Sequence, residues 1–278
     1  MKRVFTALIL IPVVLLLIFL GPRWQWIFTI AVAAVAALSA WEFTGLARKS
    51  GANIPRIAVL AAILALFAAS LMWEQRDQAP AFLCLLSLAL LLYCTFFTPV
   101  EQMVAAASTA IFCLFYIGFT LTTVLDLRDQ SNGPSLLTFL FCVVWAGDIS
   151  ALYIGRAFGR HKMAPSLSPN KTWEGTLGSV AGSLLAAGAL LALARLFEQW
   201  DKAWLSYPED IGYWLLLAVL VNAAAQAGDL TESALKRSAG VKDSGTLIPG
   251  HGGLLDRIDA LLLAAPVLWY AQRIHQWF

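Results

Sequence analysis

Apolar residues run through this chain in long blocks, broken by short polar joints. A helix that crosses a bilayer needs about 20 apolar residues. Blocks near that length occur at 4–20, 25–47, 57–73, 80–97, 102–125, 135–155, 175–196, 211–228 and 258–276. The first is short, and only FTPVEQ separates the fourth from the fifth, as a tight turn or a kink would. The pattern predicts an all-α, polytopic integral membrane protein with about nine transmembrane helices. It also divides the chain: N-terminal transmembrane helices over 1–56, then a transmembrane catalytic unit over 57–278 with polar loops at 156–174 and 229–257.

Composition agrees with the pattern. Of 278 residues 60% are hydrophobic and 13% charged, against roughly 25% charged in soluble domains, and the mean hydropathy is +0.74. The net charge of +2 gives no global field suited to nucleic acid. Cys84, Cys94, Cys113 and Cys142 sit singly in apolar runs and read as small hydrophobes. The opening MKRVFTALILIPVVLLLIFL resembles a secretion signal, but it lacks a small-x-small cleavage site before the next span and reads as a retained helix. With the N-terminus inside, Lys and Arg concentrate in the inner joints, so both polar loops face the cytoplasm. Trp24, Trp26, Trp73, Trp200, Trp204, Trp269 and Trp277 lie near span ends, as an aromatic belt does.

Residues 229–259 break the apolar character most sharply. Asp229, Glu232, Asp243, Asp256 and Asp259 share this stretch with Lys236, Arg237, Lys242, Arg257 and His251. Charge of both signs beside membrane spans is costly unless it is paired or used, so the stretch is the first candidate for an active site. Asn222, Gln226, Asp229, Ser233, Lys236 and Arg237 fall on one helical stripe, with Glu232 beside it. VKDSGTLIPGHGG cannot continue that helix, and its glycines leave backbone N–H groups free to meet phosphate oxygens. Asp256 and Asp259 then open another helix on one face. A basic, Gly-rich loop between carboxylate-bearing helix ends suits metal ions and a polyphosphate.

A second polar feature is Asp148, inside the apolar WAGDISALYIGRAFG. An intramembrane carboxylate is a functional candidate; the alternative is a structural pair with Arg156. Gly155 and Gly159 suit close helix packing. In HKMAPSLSPNKTWEG, Pro165 and Pro169 break the helix, Asn170 and Thr172 are candidate caps, and Glu174 suits a first-turn acid. His161 and His275 read as interfacial residues without chemistry.

These residues carry a resemblance. Ser233, Leu235, Lys236-Arg237, Lys242-Asp243, Gly245, Ile248-Pro249, His251-Gly252-Gly253 and Asp256-Arg257-Ile258-Asp259 resemble the motif of the phosphatidate cytidylyltransferases, the CDP-diacylglycerol synthases. DISALYIGRAFGRHKMAPSLSPNKTWEG and QAGDLTES are similar to the same family; the first 140 residues match it only in hydropathy and layout. The resemblance implies transfer of a cytidylyl group from CTP to phosphatidic acid in the bilayer, with Mg²⁺ and room for a second cation. It implies metal ligands among Asp229 and Asp256, then Asp259 and Asp148. It implies substrate contacts from Ser168, Lys171, Ser233, Lys242, Asp243, Gly252, Gly253 and Arg257, with Lys236 and Arg237 as phosphate clamps. Arg257 alternatively pairs with Asp243, and His251 either meets the nucleotide or steadies its loop. The implied location is the bacterial cytoplasmic (inner) membrane with the site facing the cytoplasm, and a homodimer is one assembly open to it. Two other readings compete: a transferase of another lipid phosphate or nucleotide, and an ion transporter using Asp148 and Asp229. Against the transporter, the polar motifs crowd the C-terminal half instead of repeating in two halves. A structural salt-bridge cluster of the acids and bases leaves the HGG loop without a role.

Overall fold

The computed structural model describes residues 12–72, 78–200, 204–208, 210–247 and 252–275. After a 3₁₀ turn at Pro22–Trp24 come α1 (Gln25–Lys49), α2 (Arg56–Met72), α3 (Ala79–Phe97) and α4 (Val100–Asp129), the last with a π-helical turn at Leu114–Phe119. Then follow α5 (Gly133–Phe158), strands β1 (Lys162–Ala164) and β2 (Ser168–Thr172), α6 (Trp173–Gln199), α7 (Ile211–Ser238) and α8 (Leu255–His275).

Among the described residues six helices are long and apolar enough to cross a membrane: α1, α3, α4, α5, α6 and α7. They match six of the roughly nine expected spans. The span expected at 57–73 is the shorter α2, and the one at 258–276 is α8, which opens on Asp256, Arg257 and Asp259. Residues 4–11 of the first expected span lie outside the described residues, as do Trp73 and Trp277 of the expected belt. The exposed side chains of α3 include Leu85, Leu88, Leu92, Phe96 and Phe97, a surface suited to lipid tails. The protein is an integral membrane protein.

The fold is all-α, as expected, apart from one small feature: the loop at 156–174 holds a two-stranded antiparallel hairpin, with Lys162 opposite Thr172 and Ala164 opposite Ser168. Pro165 and Pro169 exclude a helix there, and the chain doubles back instead. α7 runs on to Ser238, so the helical stripe expected from Asn222 to Arg237 forms. Nothing breaks its ladder until Gly240, whose φ of +66° closes the helix as Gly240 and Val241 donate to the carbonyls of Arg237 and Lys236. Trp269 is buried rather than part of a belt, and the Arg273 guanidinium lies 4.7 Å over its ring.

The chain forms two compact units by its internal contacts. The first comprises residues 1–125 and 234–258, the second 126–233 and 259–278. In the first, α1 packs on α2, and Phe43 meets Phe112, which stacks on Tyr116 at 5.2 Å. Arg56 donates to Thr44 and lies over the Trp41 ring, so its charge is held at the start of α2.

In the second unit α5 and α6 pack along much of their length. Small residues allow it: Gly155 faces the Gly175 backbone, Gly178 faces Ile154, and Gly182 faces Ser150. In hydrocarbon, where apolar burial against lipid gains little, such close backbone contact is what holds helices together. The packing reading of Gly155 fits this interface.

Candidate active site

In the second unit Asp148 projects from α5 into the wall of a cavity of about 270 Å³. Ser168, Asn170 and Lys171 of β2 and Gln226 and Asp229 of α7 line the same space. The hairpin holds Lys171 in place. Thr172 beside it accepts from the Gly175 N–H at 3.2 Å and caps α6, the cap expected of it, whereas Asn170 stands exposed at the cavity. At the base of the hairpin Glu174 accepts from the N–H groups of Arg160 and His161 and pairs with His161 Nδ1 at 2.7 Å. That pair gives both residues a local structural role.

Lys171 Nζ lies 2.7 Å from Asp229 Oδ2 and also donates to the Gln226 carbonyl at 3.4 Å. Ser233 donates to Asp229 Oδ1 at 3.4 Å. Asp148 forms no ion pair with Arg156 and is instead open to the cavity. Behind it the polar stripe continues into the helix packing. Gln226 Nε2 donates to Asn222 Oδ1 at 2.6 Å, and Asn222 Nδ2 donates to Ser179 and Ser183, each at 2.8 Å. The Ser183 hydroxyl donates in turn to the Val143 carbonyl. Asn222 and Ser183 are buried, so this chain satisfies polar groups that would be expensive in an apolar interior. It fixes the side of α7 that faces the cavity.

In the first unit a second pair forms between Lys236 Nζ and Asp256 Oδ1, 2.6 Å apart. The other oxygen of Asp256 accepts from Ser244 N at 2.9 Å, Ser244 Oγ at 2.8 Å and Gly253 N at 2.8 Å. The last bond reaches back three residues, as the acid of a capping box does. Gly252 has a φ of +81°, which a side chain would strain, and a Cβ there would meet Asp256. Gly253 sits so close to Ser244 and Glu42 that no Cβ fits. Arg237 donates to the Val241 carbonyl, and Arg237, Lys242, Asp243 and Arg257 are exposed. His251 lies outside the described residues. In the second unit Asp259 accepts from the Ala260 N–H, and its carbonyl lies where a Cβ on Gly228 would be.

Residues 1–275 match the model of the cytidylyltransferase family. The chain belongs to this family. It is similar to the phosphatidate cytidylyltransferase of Haemophilus influenzae, with 36% identity over 97% of each chain. Identity to the phosphatidate cytidylyltransferase of Synechocystis is 34% over 97% of this chain and 95% of the relative. With that of Brucella abortus it is 44%, over 56% of this chain and 54% of the relative.

For a cytidylyltransferase the donor sets of the two clusters matter. Among the described residues no three His, Cys, Asp or Glu side chains gather as a metal cage. Mg²⁺ asks for less, since it takes one or two carboxylates and keeps waters and phosphate oxygens. Asp148 and Asp229, two carboxylates on one polar cavity, fit that requirement. Asp256 fits it less well, because ammonium, hydroxyl and backbone N–H donors already surround its oxygens.

One residue of this cytidylyltransferase stands outside the sequence motifs. Glu42, in the apolar α1, is buried and accepts from Leu254 N at 3.0 Å, Leu255 N at 2.9 Å and Ser244 Oγ at 3.1 Å. A signal is present: it is a carboxylate inside an apolar span, like Asp148.

Proposed function

We propose that this cytidylyltransferase converts CTP and phosphatidate to CDP-diacylglycerol and pyrophosphate. The family match across residues 1–275, together with relatives named for that activity, carries the reading. The two carboxylates and the lysine gathered at the cavity of Asp148, Lys171 and Asp229 support it.

The nucleophile is a phosphate monoester. Its second pKa is about 6, so it is largely dianionic at neutral pH and needs no general base. One of its oxygens attacks the α-phosphorus of CTP; a P–O bond forms there, the bond to the β-phosphate bridge breaks, and pyrophosphate leaves. The barrier is mainly electrostatic, since two anions must meet and charge grows on the leaving group. Asp148 and Asp229 would hold Mg²⁺, which when bound neutralises phosphate charge. Lys171 contributes a fixed cation at the cavity, aligned by Asp229 and by the rigid β2. Ser168 and Asn170 offer hydrogen bonds to phosphate or ribose oxygens from the same strand. The Gly252 backbone and the exposed Lys242 and Arg257 serve the triphosphate, Gly253 lending its N–H to Asp256 instead, and Ser233 donates to Asp229.

The spans keep the acyl chains of phosphatidate in the bilayer while its head group reaches polar side chains. The positive-inside bias puts both polar segments on the cytoplasmic side of the bacterial inner membrane, where CTP is made. The test is label transfer: membranes containing the protein, CTP labelled on the α-phosphate, phosphatidate and Mg²⁺. Label enters the lipid phase if the reading is right. Label that enters only with a different lipid phosphate or nucleotide overturns the substrate assignment.

A further inference from the structure

A carboxylate in an apolar helix needs donors to offset its desolvation, and Glu42 has them all from one short segment. Leu254 and Leu255 present their N–H groups at the start of α8, where the helix dipole also favours an anion. Ser244 supplies the third donor, from the other end of the segment, and its hydroxyl is shared between Glu42 at 3.1 Å and Asp256 at 2.8 Å. Gly245 and Gly253 lie against the Glu42 carboxylate with no room for a side chain. Glu42 therefore ties Ser244 to Leu254 and Leu255, and Asp256 ties Ser244 to Gly253.

We infer that Glu42 is a positioning residue for cytidylyl transfer: it fixes Ser244, Gly253 and the first turn of α8, and through them their neighbours Lys242 and Gly252, which the proposed function sets against the triphosphate. The inference rests on the proposed role of those two residues in binding CTP. It gives the N-terminal helices a part in the chemistry, because the residue comes from α1. Glu42 touches no reacting atom. Its work is to hold Ser244, Gly253 and the start of α8 in place before the nucleotide arrives, which lowers the ordering cost of binding.

The experiment uses the full-length protein in membranes, with Glu42→Gln, Glu42→Asp and a thiol probe, Thr246→Cys, on the exposed part of the segment. Gln keeps the size but places an NH₂ donor where a backbone N–H must be accepted. The expected result is a rise of about tenfold in KM for CTP with kcat changed less than threefold, partly restored by Asp, which remains an acceptor. Maleimide labelling of Cys at 246, read by peptide mass spectrometry without CTP, should speed up by a similar factor as the neighbouring Ser244 loses its anchor. Unchanged KM and labelling in Glu42→Gln would overturn the inference. So would a parallel fall of kcat, kcat/KM and folded yield without a KM split. If Gln does not accumulate, Ser244→Ala removes one of the three donors and should give a smaller split in the same direction; no split there overturns the inference. Should the parent transfer no cytidylyl label at all, the functional reading fails, while the labelling arm still decides the role of Glu42.

Discussion

Lys171–Asp229 and Lys236–Asp256 are the same chemical pair at nearly the same separation, 2.7 Å and 2.6 Å. Their surroundings differ. The first pair has side chains 22% and 39% exposed and opens on a cavity that also holds Asp148. The second has side chains 14% and 6% exposed, and its carboxylate is enclosed by N–H and hydroxyl donors. An ion pair alone does not say whether a carboxylate is available to a ligand; the remaining lone pairs do. By that measure Asp229 is the more accessible carboxylate, while the oxygens of Asp256 are taken up by Lys236, Ser244 and Gly253.

The comparison can be broken most directly at the cation. Chelating divalent ions should abolish label transfer, with full recovery on adding Mg²⁺; persistence of the reaction would remove Asp148 and Asp229 from a metal role. Next comes Asp229→Asn, expected to cut turnover by about a hundredfold or more. Its thermal stability should barely move, because partly exposed pairs contribute only about 0–1 kcal/mol. Asp256→Asn should reverse that balance. Removing one charge of a buried pair costs about 3–5 kcal/mol, so denaturation in detergent should show a large loss, and activity should fall with it. Equal stability losses for the two variants would erase the distinction. Smallest is Asn222→Ala, expected to cost roughly 1 kcal/mol, since hydrogen bonds between membrane helices are modest. A thermal-shift assay would detect it, with KM for CTP nearly unchanged.

Much of this architecture is legible in the amino-acid sequence. Six spans follow from block length, and the stripe from Asn222 to Ser233 follows from i+3 and i+4 spacing, because helix periodicity is local. Asp148 and Thr172 are legible too, one by its cost in an apolar helix and the other as a cap. The hairpin is not, since KMA and SPNKT are too short and too polar to show strand alternation. Nor is the exhaustion of the Asp256 lone pairs, three of whose donors come from turns that spacing does not describe. Glu42 and Ser244 lie 202 positions apart, and no window along the chain links them.

The tight seat of Gly253 bears on how mutational scans of this chain should be interpreted. Replacing that glycine with alanine pushes a methyl group into Ser244 and Glu42. An inactive variant there reports a jammed joint and carries no information about nucleotide contact.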